Sequence, residues 1–226
     1  MSKINLILGL KNTIKINFKA FPFREALKFP IYCSHRVKIK GIHKGSIQIN
    51  GLIKRHMIDI GLQTGSEGLM AEKSVSYIGT DENSKIIFNG SAIINSGTAL
   101  KAINGGVLTV GKNLYCNSFC KILCKKEITI GDDNLFGWNI TINDGDGHVL
   151  KNSCDPEKKK INPEKSINIG NRVWLCAHTS LLKGCKIPDD SVVAYNSVVL
   201  EKFEQSNTII GGYPAKVIKT NINWAK

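Results

Sequence analysis

The run Asn143–Asp144–Gly145–Asp146–Gly147–His148 gathers one histidine, two carboxylates and two glycines within six residues. Imidazole titrates near neutrality, so His148 is of a type suited to moving a proton in general acid–base work. Two plainer readings stand beside it. Alternating Asp and Gly makes a turn, and Asp-rich loops bind calcium. An EF-hand loop counted from Asp144 needs Glu at its twelfth position, where Asp155 stands, and Gly147 offers no side-chain ligand. A three-histidine zinc site lacks its third member, since only His148 and His178 lie in this part of the chain. No metal is therefore expected. Cys116, Cys120 and Cys124 are four apart, but no Cys-x-x-Cys pair supports zinc, and all seven cysteines are read as structural.

The elements that hold this run follow a beat of six. From Ile169 the phase never slips: Leu175, Leu181, Ile187, Val193 and Val199 are all aliphatic. The beat recurs upstream in the triplets Ile130/Phe136/Ile142, Val110/Cys116/Ile122 and Phe88/Ile94/Leu100, with insertions between them such as Asn104–Gly106. Small residues often stand four after an anchor, as at Thr98, Cys120, Thr179 and Ser197. Gly111, Gly131 and Gly170 follow their anchors directly and are expected to serve tight corners. A six-residue unit cannot bury its own apolar face, so the units must stack into a solenoid, three to a coil. An antiparallel sandwich would show longer alternating strands and hairpin turns instead. The beat stops after Ile142 and resumes at Ile169, so the chain leaves the solenoid at His148 and returns about twenty residues later; long loops inside compact repeats are usually functional.

Composition narrows the class. The chain has 226 residues, 42% of them hydrophobic, and a formal charge of +13. No apolar run reaches the roughly 20 residues of a membrane span. Ile4–Leu10 is too short and lacks the cleavage site of a signal peptide. An odd number of cysteines suits a reducing compartment, so a cytoplasmic location is expected. Lys and Arg are spread along the chain, the densest run being Lys158–Lys160, and no nucleic-acid-binding spacing occurs; nucleic acid is not the expected partner.

Three stretches carry a resemblance: Ile169–Gly170–Asn171–Arg172–Val173–Trp174, Ile187–Pro188–Asp189–Asp190–Ser191–Val192, and Gly212–Tyr213–Pro214–Ala215–Lys216–Val217–Ile218. They resemble the hexapeptide-repeat acyltransferases, above all the branch of bacterial galactoside, capsule and lipopolysaccharide O-acetyltransferases. The resemblance implies an all-β solenoid, a left-handed parallel β-helix, and a homotrimer with active sites between subunits. It implies acetyl-CoA as co-substrate, a sugar hydroxyl of a surface glycan as acceptor, and His148 as general base. Asp146 is the preferred residue to fix the imidazole tautomer, with Asp144 as the alternative. A backbone N–H at a coil corner would serve the oxyanion. By the same resemblance Trp174 lines the catalytic pocket, Asn117 and Asp144 meet the acceptor, Ala177 and Tyr195 flank the pantetheine arm, and Lys216 and Lys219 meet the nucleotide phosphates. Tyr195 departs from the usual small residue. Leu200–Glu201 stands where the family often has Thr-Lys, which moves one phosphate contact toward Lys202. Two alternatives remain open: N-acylation of an amino sugar, and a non-catalytic scaffold or polyanion binder.

Residues 1–35 are expected to form a cap, 36–220 the solenoid with its excursion at 149–168, and 221–226 a tail. A short amphipathic helix is expected near Phe23–Phe29, covering the first coil. The mixture of Phe and Lys in this segment also suits peripheral contact with an anionic membrane at its inner face. Residues 36–85, with Ile47/Ile49 and Ile58/Ile60, are expected to form irregular opening coils.

Overall fold

A computed structural model describes residues 3–62, 73–154, 157 and 160–225. Short parallel strands visit three sheets in turn, so that every third strand pairs: nine strands on the first face, seven on the second and six on the third. The six-residue beat is the step from face to face. Phe88, Val110, Ile130, Ile169 and Ile187 are register partners on the third face. Ile94, Cys116, Phe136, Leu175 and Val193 stack likewise on the first, and Leu100, Ile122, Ile142, Leu181 and Val199 on the second. All of these are buried, and so are the small residues Thr98, Cys120, Thr179 and Ser197, which fit the corners of the prism. The core is one apolar column, each coil burying the open face of the next.

Three expectations change. The opening coils are regular rather than irregular: strands Ile47–Ile49 and Ile58–Ile60 pair in register with Ile86–Phe88 and Ala92–Ile94. The irregularity of the sequence lies in the segments between these strands; residues 63–72 are outside the described residues. The glycines after the anchors do not supply left-handed corners. A Cβ at Gly131 would stand 2.5 Å from the Gly170 carbonyl oxygen, so glycine is required there for the coils to approach. The positive φ comes two residues later, at Asn113, Asp133 and Arg172.

The N-terminal helix is also longer and earlier than expected. Helix α1 spans Lys3–Ala20, and the expected helix after it is the single turn α2, Phe23–Ala26. The α1 face carrying Thr13, Ile16, Asn17 and Ala20 is buried. It meets strand Ile31–Cys33, the edge of the first face. Asn17 donates through Nδ2 to the Ile31 carbonyl at 2.7 Å and accepts from the Ile31 N–H through Oδ1. Thr13 Oγ1 accepts from the Cys33 N–H at 3.0 Å, and Asn12 Nδ2 reaches the carbonyls of Ser34 and Val37. An uncovered edge strand is a template for unwanted pairing, and these side chains occupy its hydrogen-bonding groups. Among the described residues no helix is long and apolar enough to cross a membrane.

Candidate active site

The excursion leaves the second face after strand Thr141–Asn143 and rejoins the third at Ile167–Ile169. Its foot is closed by two backbone bonds, Lys165 N–H to the Asp144 carbonyl and Ile161 N–H to the Leu150 carbonyl, both at 3.0 Å. His148 is exposed at the turn this hairpin-like base creates. The turn is set by a residue the sequence reading passed over. Asn162 is 7% exposed. Its Nδ2 donates to Asp146 Oδ2 at 2.7 Å and to the His148 carbonyl at 2.8 Å, while its Oδ1 accepts from the Leu150 N–H at 2.7 Å. One amide thus holds the histidine's own carbonyl, the backbone two residues after it and the side chain of Asp146 two residues before it. Its only sequence signal is an Asn inside a polar loop.

The two aspartates do different work from that expected. Asp146 is not directed to His148 in this structure: its carboxylate is held by Lys183 Nζ and Asn162 Nδ2. The Lys183 bond, then the Asn162 bond, keep its pKa below the ordinary carboxylate value. Asp144 is 0% exposed, and its carboxylate has three backbone partners from the preceding coil. Oδ1 accepts from the Lys125 N–H at 2.7 Å, and Oδ2 from the N–H groups of Lys126 and Glu127, each at 2.8 Å. The expectation that Asp144 binds an acceptor is therefore corrected: this carboxylate closes a corner between coils. The Cys124 thiol lies 3.6 Å from Asp144 Oδ2, and burial followed by that carboxylate pushes its pKa up.

Asn117 is likewise a buried corner residue, its Oδ1 accepting from the Ser118 N–H at 2.8 Å. Trp174 stands on the first face, in register with Leu135 and Val192, whereas His148 leaves from the second. Its ring packs 6.1 Å from that of Trp224, in the tail. Trp224 is fixed by its Nε1–H bond to the Arg172 carbonyl at 2.8 Å and by the Arg172 guanidinium, 5.7 Å from its ring. The residues read as a plain tail therefore fold back over the first face.

Ala177 and Tyr195 lie on adjacent coils at the corner between first and second faces, where the Asn196 N–H bonds the Ala177 carbonyl at 3.1 Å. Ala177 is buried, and Tyr195 is exposed with its ring 5.2 Å from that of His178. Lys216 and Lys219 are exposed on strand Ala215–Lys219, which pairs antiparallel with Ile209–Gly212. A cavity of about 490 Å³ lined by Lys165, Ser166, Lys183, Gly184, Leu200 and Lys202 opens beside the foot of the excursion, joined to it by the Lys183–Asp146 pair. Of the densest basic run, Lys158 and Lys159 lie outside the described residues, and Lys160 pairs with Glu164. The cysteines are free; Cys154 is exposed in the excursion and so departs from the structural role expected of all seven. Among the described residues no cluster of His, Cys, Asp and Glu is arranged to hold a metal.

No family model matches the chain. It is 31% identical over 150 residues to the polysialic acid O-acetyltransferase of Escherichia coli O1:K1, covering 66% of this chain and 45% of that protein. It is 29% identical over 211 residues to an uncharacterized 24.8 kDa protein in the cps region of Klebsiella pneumoniae, covering 93% and 88% of the two chains. The crystal structure of the polysialic acid O-acetyltransferase OatWY superposes with a TM-score of 0.53 at 22% identity, covering 87% of each chain. The chain spans less than two thirds of the curated O-acetyltransferases it matches. With the six-residue beat threading three stacked parallel sheets, the superposition on OatWY gives the chain the fold of that O-acetyltransferase, the left-handed parallel β-helix.

Proposed function

We propose that the protein is an acetyl-CoA-dependent O-acetyltransferase acting on a sugar hydroxyl of a bacterial surface glycan, in the cytoplasm and as a homotrimer. The observation that carries this reading is the excursion itself. A β-helix is interrupted once among its described late coils, and the interruption presents an exposed histidine on a turn braced by a buried amide. The relatives named as O-acetyltransferases support the reaction class, and seven unpaired cysteines suit a reducing compartment.

In this reading coenzyme A supplies the acyl group as a thioester and departs as the thiolate. Ala177 and Tyr195 would flank its pantetheine arm, and the exposed amines of Lys216 and Lys219 suit its phosphates; the cavity at Lys165 and Lys202 offers further cations. His148 takes the proton from the acceptor hydroxyl through an imidazole nitrogen as that oxygen attacks the carbonyl. Asn162 holds the His148 main chain, so the ring starts from a fixed backbone. Trp174, on a different face from His148, would enter the pocket from a neighbouring subunit of the trimer.

Calorimetry with acetyl-CoA, beside the mass in solution, tests the donor and the trimer without knowledge of the acceptor. Glycans are then screened for thiol release. His148→Ala is expected to lower turnover by roughly 10²–10⁴ and to leave donor binding and thermal stability nearly unchanged. Full turnover in that variant would remove His148 from the mechanism.

A further inference from the structure

Helix α1 is committed on one side only. Its inward face is pinned to the first coil by Asn12, Thr13 and Asn17, and at Gly9 a Cβ would stand 2.1 Å from the Cys33 carbonyl oxygen, so the helix cannot roll or lift there without losing these contacts. The rest of its surface is therefore presented in a fixed orientation. Ile7, Leu10 and Ile14 are spaced by three and four residues and form one stripe along the helix. All three are exposed, Ile7 at 72% and Leu10 at 54%. Phe23 and Leu27, in and just after α2, add further exposed apolar side chains, Phe23 at 66%. Exposed Lys11, Lys15 and Lys19 follow one another along the helix beside the stripe, and Arg24 and Lys28 continue the charge. The first thirty residues contain six Lys or Arg and a single acid, Glu25.

A contiguous exposed apolar stripe on a protein surface marks a partner. Two occupants compete, a second copy of the chain and a lipid surface. A second copy would set lysines against lysines with one Glu25 in each copy to offset them. An anionic bilayer accepts both features at once: Ile, Leu and Phe enter the headgroup–acyl boundary, and the lysines meet lipid phosphates. We propose that α1 is bifunctional, capping the β-helix with its inner face and docking the protein on an anionic membrane surface with its outer one. The proposal does not depend on the acylation reading.

The test is co-sedimentation of the full chain with vesicles of phosphatidylcholine alone and of phosphatidylcholine mixed equally with phosphatidylglycerol. The chain is expected to sediment with the mixed vesicles only, and less as salt rises. Replacing Lys11, Lys15 and Lys19 by Gln is expected to weaken binding by about a hundredfold, at roughly one kcal/mol per cation near the surface. Ile7→Ser, Leu10→Ser and Ile14→Ser together are expected to weaken it at least tenfold with the melting curve unchanged, since all three are exposed. The lysine variant keeps the test decisive if the apolar one fails to fold. Absence of binding to mixed vesicles overturns the proposal, as does binding that survives both variants. A larger oligomer in solution that the apolar variant breaks apart overturns it too, and assigns the stripe to a second copy.

Discussion

Asp144 offers the sharpest test of the site's architecture, because the structural and ligand-binding readings predict opposite results. Consider Asp144→Asn, which preserves shape. Oδ1 can keep the Lys125 N–H at 2.7 Å, but the new Nδ2 then faces the N–H groups of Lys126 and Glu127 across 2.8 Å, donor against donor. Turned over, the amide does better: its oxygen keeps the N–H groups of Lys126 and Glu127, and only the Lys125 N–H is left facing Nδ2. Bonds to an ionised acceptor contribute about 1.5–3 kcal/mol each, and a buried N–H left unpaired costs about 1–3 kcal/mol. Losing one such bond, with its N–H left buried, and the charge assistance of the other two gives about 2–5 kcal/mol. At about 2–4 °C per kcal/mol for a chain of this size, the melting temperature falls by roughly 4–20 °C. Differential scanning calorimetry reads the shift. The lost contacts join the corner at 125–127 to the following coil, so melting is also expected to broaden as repeats uncouple. An unchanged melting curve, accompanied by a raised KM for an acceptor, would refute the structural reading and return Asp144 to the binding site.

Two other perturbations bear on the turn. Asn162→Ala removes the bonds to Asp146, His148 and Leu150 together. It is expected to lower kcat for the acylation proposed above at least tenfold while KM for acetyl-CoA stays put, and to raise hydrogen exchange at 146–150; exchange unchanged by the substitution would show that Asn162 does not hold the turn. The Lys183–Asp146 pair predicts a pH effect of definite sign. Because the folded pKa of Asp146 is lowered, its contribution is fully present above the ordinary aspartate value and is lost as pH falls through the depressed one. Proteolysis of the excursion is therefore expected to accelerate only below the usual carboxylate range, and Lys183→Met is expected to move that onset upward; an onset unmoved by Lys183→Met would break the link.

The architecture was legible because its signal is local and repeated. Each anchor from Ile169 to Val199 reports the same physical fact, that every sixth residue points into the prism. The glycine column misled for an instructive reason. Sequence identifies Gly131 as a position intolerant of a side chain, but a left-handed φ and a close neighbour demand glycine equally, and the neighbour at fault, Gly170, lies 39 residues away. Helix α1 was obscured because its inward face carries Asn12, Thr13 and Asn17, polar residues whose value appears only against the strand edge they satisfy.

The site is harder to read than the fold for the same reason in stronger form. A β-helix sets each residue beside others about one coil away, so the partners that decide a side chain's role are distant in sequence. Asp144 and Asp146 are indistinguishable as letters in Asp-Gly-Asp-Gly. One is consumed by backbone N–H groups 17–19 residues earlier, and the other faces Lys183, 37 residues later. Alternation does not separate them, since both stand an even number of residues after the inward anchor Ile142; position along the exit does, because Asp144 is on the last step beside the backbone N–H groups of the preceding coil and Asp146 is past it. A carboxylate at the departure point of a coil is thus first a device for closing the corner, and only the residues beyond it are free for chemistry. By that criterion the reactive length of the motif begins at Gly145, and His148 and its brace Asn162 are the residues on which the substitutions above bear most directly.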